Sequence, residues 1–174
     1  DRLRSRGLGD VYKRQLYNGP ECGASAPDHM HFQAAGKEES LSTPFFKDFL
    51  NDIIEQTDFD DVPAIVNSYA NNTFITSIGL ASILRSELIE KFENIYNILS
   101  TFYGKEPLIN IIAWYAIDST KHGEDDEVVA WNCVIFLRSK HRPDCYYNQG
   151  GKGLLISPAV AEMGGVFPLS LIHI

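Results

Sequence analysis

Residues 18–33 read NGPECGASAPDHMHFQ, and this stretch is the strongest indication of fold and function in the chain. Its last five residues alternate between polar and apolar side chains. Because alternate side chains of a β-strand point to the same face of a sheet, the alternation predicts a strand over residues 29–35. The polar face contains His29, His31 and Gln33, and the apolar face, expected in the core, contains Met30 and Phe32.

The polar face of this predicted strand suits chemistry at phosphorus. An imidazole can act as a nucleophile, and its unperturbed pKa of about 6.5 leaves the free base available at neutral pH. The preceding turn is rich in small residues, so its backbone N–H groups can stabilise phosphate oxygens. Two imidazoles, an amide and such a turn together favour an attack on phosphorus.

The order His-x-His-x-Gln resembles the signature of the histidine-triad superfamily, in its nucleotidyltransferase branch. That branch has Gln where the hydrolase branch has a third His, and it includes diadenosine tetraphosphate phosphorylases and GDP-sugar phosphorylases. The flanking Gly-Ala-Ser-x-Pro-Asp makes the likeness more specific, and the longer string is similar to a bacterial family related to those phosphorylases. Residues 36–85 are only weakly similar. Four later segments resemble the C-terminal half of the phosphorylases, namely residues 109–115, 134–143, 156–159 and 163–167.

The resemblance implies a role for each polar side chain of the motif. His31, the second histidine, attacks the α-phosphorus and forms a covalent nucleotidyl-imidazole. His29 orients the loop or contacts the leaving group, with a structural hydrogen bond as the alternative. Gln33 stands in place of the third histidine, and its amide can donate to a phosphate oxygen but cannot act as a general acid. This favours transfer to phosphate or a sugar phosphate over hydrolysis, and no cofactor is implied.

The turn before the motif contains candidate phosphate-binding groups. Ser25, together with the backbone N–H groups of Gly23 and Ala24, can cradle phosphate oxygens in a nest of donors. The alternative for these residues is a plain tight turn. Asn18, at the start of the stretch, is a candidate for contact with a phosphate or a ribose.

A second set of candidates is the cation cluster Lys140-His141-Arg142, which is compact and lies in an acidic chain. Lys140 and Arg142 could neutralise a polyphosphate or an incoming phosphate, since Arg and Lys are the usual partners of phosphate oxygens. The alternative is a solvated basic loop.

Length and charge indicate one acidic domain. The chain has 174 residues and a net charge of −8 at pH 7. Residues 1–15 and 168–174 resemble translated sequencing-adapter sequence, so we expect the domain over residues 16–167, as an internal fragment. Without residues 1–15 the chain has 10 basic and 21 acidic residues, a net charge of −11. This balance argues against a nucleic-acid partner held by bulk charge.

Cysteine content and hydropathy bear on the compartment. The chain has three widely spaced cysteines, an odd number that fits a reducing cytoplasm better than a disulfide framework. No apolar run reaches the ~20 residues that a membrane-spanning helix needs, so no membrane partner is expected. A homodimer across an exposed strand would be consistent with the superfamily.

The pattern along the chain predicts an α+β fold. Further strands are expected at residues 64–69, 73–82, 108–117, 128–138 and 154–157, and helices at residues 43–56 and 86–103. Ser86 is the expected cap of the second helix, and Gly104 its expected end. Antiparallel hairpins combined with two or three packed helices match the sheet that the histidine-triad resemblance implies.

The function that these observations favour is that of a nucleotidyltransferase or phosphorylase. The expected substrate is a dinucleoside polyphosphate or a nucleotide sugar, with phosphate or a sugar phosphate as the acceptor. Alternatives on the same fold are a nucleotide-binding module without turnover and a nucleotide hydrolase. A zinc site at Cys22, His29 and His31 is the chemical rival, although no paired Cys-x-x-Cys or second histidine pair supports it.

Overall fold

The computed structural model describes residues 13–24, 32–36, 64–68, 75–82, 84–118, 128–148, 153–154 and 156–164. Its strands are β1 (Lys13–Asn18), β2 (Phe32–Gly36), β3 (Ala64–Ser68), β4 (Ile75–Ser82), β5 (Ile109–Asp118) and β6 (Val128–Leu137). Its helices are α1 (Arg85–Tyr103), a 3-10 turn (Asp144–Tyr146) and the short α2 (Val160–Met163).

The strands form one antiparallel sheet in the order β2-β1-β5-β6-β4-β3. At its centre β5 and β6 pair as a hairpin, from Ile109 opposite Leu137 to Asp118 opposite Val128. The predicted α+β class is therefore confirmed. Four predicted strands, 64–69, 73–82, 108–117 and 128–138, are present with ends that differ by at most two residues.

One face of the sheet packs against α1. The apolar residues of the helix recur at three-to-four spacing, which forms a stripe along one side. The stripe consists of Leu88, Phe92, Ile95, Tyr96 and Leu99, and it meets Ile78, Leu80, Ile109, Cys133 and Ile135 of the sheet. Burial of these side chains supplies the main hydrophobic stabilisation of this half of the fold.

The helix α1 begins differently from the prediction. Ser86 does not cap it; the N-cap residue is Leu84, which makes no side-chain capping bond. Instead the Ser82 hydroxyl accepts from the Leu84 N–H at 3.1 Å and donates to the Glu87 carboxylate at 2.6 Å. The predicted end is confirmed, since Gly104 adopts the left-handed conformation at φ 64°.

Gly104→Ala is expected to lower the free energy of unfolding by about 1 kcal/mol, because an L side chain is strained at positive φ. A Cβ there meets no atom within 4 Å, so the cost comes from the backbone alone. Urea unfolding measures it. Gly104→Asn is the control and should cost less, since Asn tolerates this conformation. Equal losses for Ala and Asn would contradict the left-handed cap.

The opposite face of the sheet is also buried but contains polar side chains. Arg14, Ser77, Asn110 and Asn132 are all buried on it, as is Trp114. The guanidinium of Arg14 lies 6.0 Å from the Trp114 ring centroid, and burial lowers its pKa to about 10. Arg14 lies on β1, which begins at Lys13, three residues before the expected start of the domain at residue 16.

Two sequence predictions about side chains and strands are wrong. Phe32 is not in the core: 65% of it is exposed, and its ring lies 5.3 Å from that of Tyr17. The reason is that β2 is the outermost of the described strands, so its faces are less covered by the described residues. Residues 154–157 do not form a strand where they are described, because the Ile156 N–H donates to the nearby Leu154 carbonyl.

Other predictions fall outside the described residues. The helix predicted over residues 43–56 and the first part of the strand predicted over 29–35 belong to this group. Within the described helices, none has the length and apolar character that a membrane crossing requires.

Candidate functional site

The candidate site lies at one end of the sheet, where three connecting segments meet. Asn18 at the end of β1 pairs with Asn110 near the start of β5, and Asn110 pairs with Phe136 near the end of β6. The segments that leave β1 and β6 therefore emerge side by side. We call them the Gly23 turn (residues 19–24) and the Arg138 loop (residues 138–148). The Pro158 segment (residues 156–159), just before α2, joins them.

Arg138 connects all three segments through its guanidinium. Its Nη1 donates to the carbonyls of Cys22 and Pro158, and its Nη2 donates to the carbonyl of His141 at 2.9 Å. The same Nη1 lies 3.0 Å from Asn110 Oδ1, and Nε lies 3.3 Å from the Lys140 carbonyl. Burial lowers the pKa of Arg138, an effect that the nearby Cys22 and Glu162 oppose. Arg138 thus holds the ends of the segments together.

Asn110 supports the same junction from inside the sheet. Its Nδ2 donates to Asn18 Oδ1 at 2.6 Å and to the Cys22 carbonyl at 3.0 Å. Asn18 Oδ1 accepts a second hydrogen bond, 2.7 Å long, from the Val160 N–H. These contacts give Asn18 a structural function, and its predicted contact with phosphate or ribose stays a prediction.

Gly23 is the point at which the segments come closest. It has φ +84°, and a Cβ built on it would lie 1.9 Å from the Pro158 carbonyl oxygen, so no side chain fits there. Its N–H donates to His141 Nδ1 at 3.2 Å, and its carbonyl accepts from the Ser157 hydroxyl at 3.0 Å. The N–H that the sequence suggested for a phosphate nest is therefore already bonded to His141, while Ala24 next to it is buried.

The predicted cations of the Arg138 loop separate into two environments. Arg142 Nε donates to Ser157 Oγ at 2.8 Å, and its guanidinium lies 4.4 Å from the Tyr146 ring centroid. Lys140 instead contacts both carboxylate oxygens of the exposed Asp144, at 2.7 and 2.8 Å. The Arg142 side chain is thus linked to the Gly23 turn through Ser157, whereas the described contacts of the Lys140 side chain are with Asp144 alone.

The motif residues are only partly described. Gln33 lies on β2 opposite Leu16, and its side chain is exposed. Ser25, His29 and His31 lie outside the described residues. Of the predicted site residues, the structure brings together Asn18, Gly23 and Arg142, and it directs the Lys140 ammonium to Asp144 instead. Ala24 follows Gly23 and is buried.

The cysteine of the Gly23 turn is a buried thiol. Cys22 Sγ donates to the Pro20 carbonyl at 3.2 Å, and burial raises its pKa to about 11. Cys133 in the core behaves likewise, with its pKa raised to about 12. The other two residues of the zinc alternative, His29 and His31, lie outside the described residues. Within the described part of the chain no three His, Cys, Asp or Glu residues are grouped to hold a metal.

Sequence reasoning missed Arg138, Asn110 and Ser157. A signal existed for Asn110, because it is the one polar residue in the apolar run Ile109–Trp114 of a central strand. Arg138 directly follows the buried β6, a position where an Arg can turn back to the loop carbonyls. Ser157 has no comparable sequence signal.

Arg138→Met is expected to lower the free energy of unfolding by about 2–3 kcal/mol, because several partly buried carbonyls lose their donor. Chemical denaturation measures this change. Lys140→Met is the matched control and should change stability by less than about 0.5 kcal/mol, since its partner is an exposed carboxylate. Equal effects of the two substitutions would contradict the central position of Arg138.

In comparisons with known proteins, one family model matches a short part of the chain. The family model for DUF4922, described as a domain of unknown function, matches residues 10–36, which include β1, the Gly23 turn, the His-x-His-x-Gln motif and β2. Comparisons with curated proteins and with solved structures gave no match.

Proposed function

We propose that this protein is a nucleotidyltransferase of the phosphorylase type, with the histidine-triad kind of α+β fold. In the first step, His31 attacks the α-phosphorus of a dinucleoside polyphosphate or nucleotide sugar. A P–N bond forms, and the P–O bond to the leaving half breaks. In the second step, phosphate or a sugar phosphate attacks the same phosphorus, and the electron pair of the P–N bond returns to the imidazole.

The main support is that the turn leading into the motif is bonded to the Arg138 loop. Gly23 donates to His141 and accepts from Ser157, which in turn accepts from Arg142. The segment that precedes the motif in sequence, separated from His29 by residues 25–28, is therefore fixed against a cationic loop. Such fixed positioning is what a nucleophile and its charge-stabilising donors require.

The register of β2 supports the same proposal from the other end of the motif. Phe32, the residue covalently after His31, pairs with Tyr17, and Tyr17 is followed by Asn18 at the candidate site. Adjacent strands are about 4.8 Å apart, and consecutive Cα atoms about 3.8 Å. The described end of the motif therefore pairs with the strand that leads into the candidate site, which is consistent with the proposal.

The local charge also favours a phosphate-containing substrate. Arg138 and Arg142 both belong to the candidate site of a chain whose net charge is −8. Among the described contacts, Arg138 donates to carbonyl and amide oxygens and to no carboxylate. Glu162 lies near Arg138 and offsets part of its charge, whereas the described contacts of the Arg142 guanidinium are with the Ser157 hydroxyl and the Tyr146 ring. Arg142 therefore contributes positive charge that can attract an anion, over a short range that salt screens.

The test is the intact mass of the full-length protein after mixing with dinucleoside polyphosphates and nucleotide sugars, with no acceptor present. We expect a mass increase of one nucleoside monophosphate with at least one donor, and its removal when phosphate or a sugar phosphate is added. A folded protein that forms no adduct with any donor would contradict the covalent mechanism. Nucleotide binding without an adduct would then indicate a binding module.

A further inference from the structure

We infer that Arg142 and His141 form an oxyanion subsite that binds inorganic phosphate or the phosphate group of a phosphomonoester. Its role as the site of the acceptor rests on the proposed function. The subsite itself rests on the hydrogen-bond donors of the Arg138 loop, which can be assigned one by one.

Two of the four basic side chains of this loop already have partners for their charge-bearing donors. Arg138 donates through Nε, Nη1 and Nη2 to oxygens of the protein. The Lys140 ammonium contacts the Asp144 carboxylate, which neutralises it. Neither group is free to bind a phosphate without giving up these contacts.

The described hydrogen bond of the Arg142 guanidinium uses only Nε, and the orientation of the group is fixed. The bond from Nε to Ser157 and the contact with the Tyr146 ring hold the plane of the guanidinium. In the described part of the chain, its Nη1 and Nη2 have no hydrogen-bond partner. Two parallel N–H donors on a planar, pre-oriented group match two oxygens of a phosphate.

His141 adds a second kind of donor. Its Nδ1 accepts the Gly23 N–H, which requires that Nδ1 bear no proton, so in the neutral ring the proton is on Nε2. The described contacts include no partner for this Nε2–H. The Gly23 turn therefore sets the tautomer that makes His141 an anion donor next to Arg142 in the chain.

A phosphate dianion also suits the charge of the surroundings. Arg138 and Arg142 are joined to the same turn, at Cys22 and through Ser157 to Gly23, and their described hydrogen bonds go to neutral oxygens. Glu162 lies near Arg138, and an anion bound by Arg142 would compensate the charge of Arg142. In the second step of the proposed reaction, an oxygen of that phosphate attacks the nucleotidyl phosphorus as the bond to His31 breaks.

The first experiment measures binding of inorganic phosphate to the nucleotide-free protein by calorimetry at pH 7.5, at constant ionic strength. Arg142→Gln should weaken binding at least tenfold. Lys140→Gln removes the same charge two residues away and should change binding less than twofold. If wild type does not bind phosphate, or if the two variants weaken it equally, the subsite is overturned.

His141→Asn tests the histidine without removing the acceptor of the Gly23 N–H, because the Asn oxygen takes the position of Nδ1. It eliminates the Nε2–H donor, and we expect weaker phosphate binding with an unchanged thermal unfolding midpoint. Full phosphate affinity in this variant would exclude His141 from the subsite. Arg142→Lys keeps the charge but not the paired donors. We therefore expect its affinity for phosphate to lie between that of Arg142→Gln and that of wild type.

A second experiment separates this inference from the proposed function. Nucleotidyl adduct is formed without acceptor and then mixed with increasing inorganic phosphate or hexose 1-phosphate. We compare the acceptor concentration at which half of the nucleotidyl group is transferred from the protein. With the acceptor that wild type uses, this concentration should be at least tenfold higher for Arg142→Gln than for wild type. If Arg142→Gln transfers the nucleotidyl group at the same acceptor concentration as wild type, the subsite is not the site of the acceptor. If wild type forms no adduct but binds phosphate through Arg142, the reaction is wrong and the subsite stands.

Discussion

His31→Ala is expected to abolish the covalent adduct, with a loss of at least about a thousandfold in the rate of nucleotidyl transfer. Alanine has no lone pair with which to attack phosphorus, and activity without the nucleophile falls to what positioning and charge stabilisation alone provide. Intact-protein mass spectrometry at several incubation times measures the adduct. Donor binding by the variant, measured by calorimetry, shows that its loss is chemical and not a loss of fold.

Peptide mapping of the wild-type adduct completes this test. We expect the modified peptide to contain residues 29–33, with the added mass on His31. Gln33→Ala serves as the matched comparison within the motif: it removes a donor to phosphate oxygen but leaves the nucleophile, so the adduct should still form, more slowly. An adduct that persists in His31→Ala would assign the nucleophile to another residue, and mapping would identify it.

Gly23→Ala is expected to lower the free energy of unfolding by about 4–5 kcal/mol. Positive φ alone costs an L residue about 1–2 kcal/mol. The larger part comes from the Pro158 carbonyl, which would lie 1.9 Å from the new Cβ and would have to move. That movement breaks contacts of Arg138 and Ser157, which leaves polar groups without partners. Losses of this size are exceptional for a single methyl group.

Gly104→Ala is the control for Gly23→Ala, because Gly104 also has positive φ but open space around its Cβ position. The difference between the two losses isolates the close approach of Gly23 to Pro158. Urea unfolding of both variants, with phosphate binding measured on the folded fraction, gives the comparison. Losses within 1 kcal/mol of each other would contradict the contact.

Regular elements of the fold were predictable because their signals are local. The β-branched run of β5 and β6 predicts the central hairpin, and the stripe of α1 with Gly104 predicts the helix and its end. The start of α1 was not predictable in detail, because Ser82, four residues before Ser86, binds the first turn. Phe32 was misjudged because alternation gives the faces of a strand but not its position in the sheet.

The candidate site was predictable only where chemistry leaves a local pattern. The small residues at Gly23 and the basic cluster with Arg142 are visible in the sequence. Arg138 is not distinguished by its neighbours, because its partner at Cys22 is 116 residues away and is a backbone carbonyl that every residue type has. The sequence of the cluster also does not indicate that the Lys140 ammonium contacts Asp144, or that Arg142 donates to Ser157.

The bond between Asn18 and the Val160 N–H spans 142 residues, and it has a consequence for biosynthesis. A ribosome delivers the Gly23 turn before the Arg138 loop and the Pro158 segment, which follow it by more than 110 residues. Until then the turn lacks Arg138, His141 and Ser157. A nascent chain that stops before residue 156 can pair its strands and still lack the finished site. The arrangement around Gly23 is therefore complete only when residues 138–160 have been synthesised.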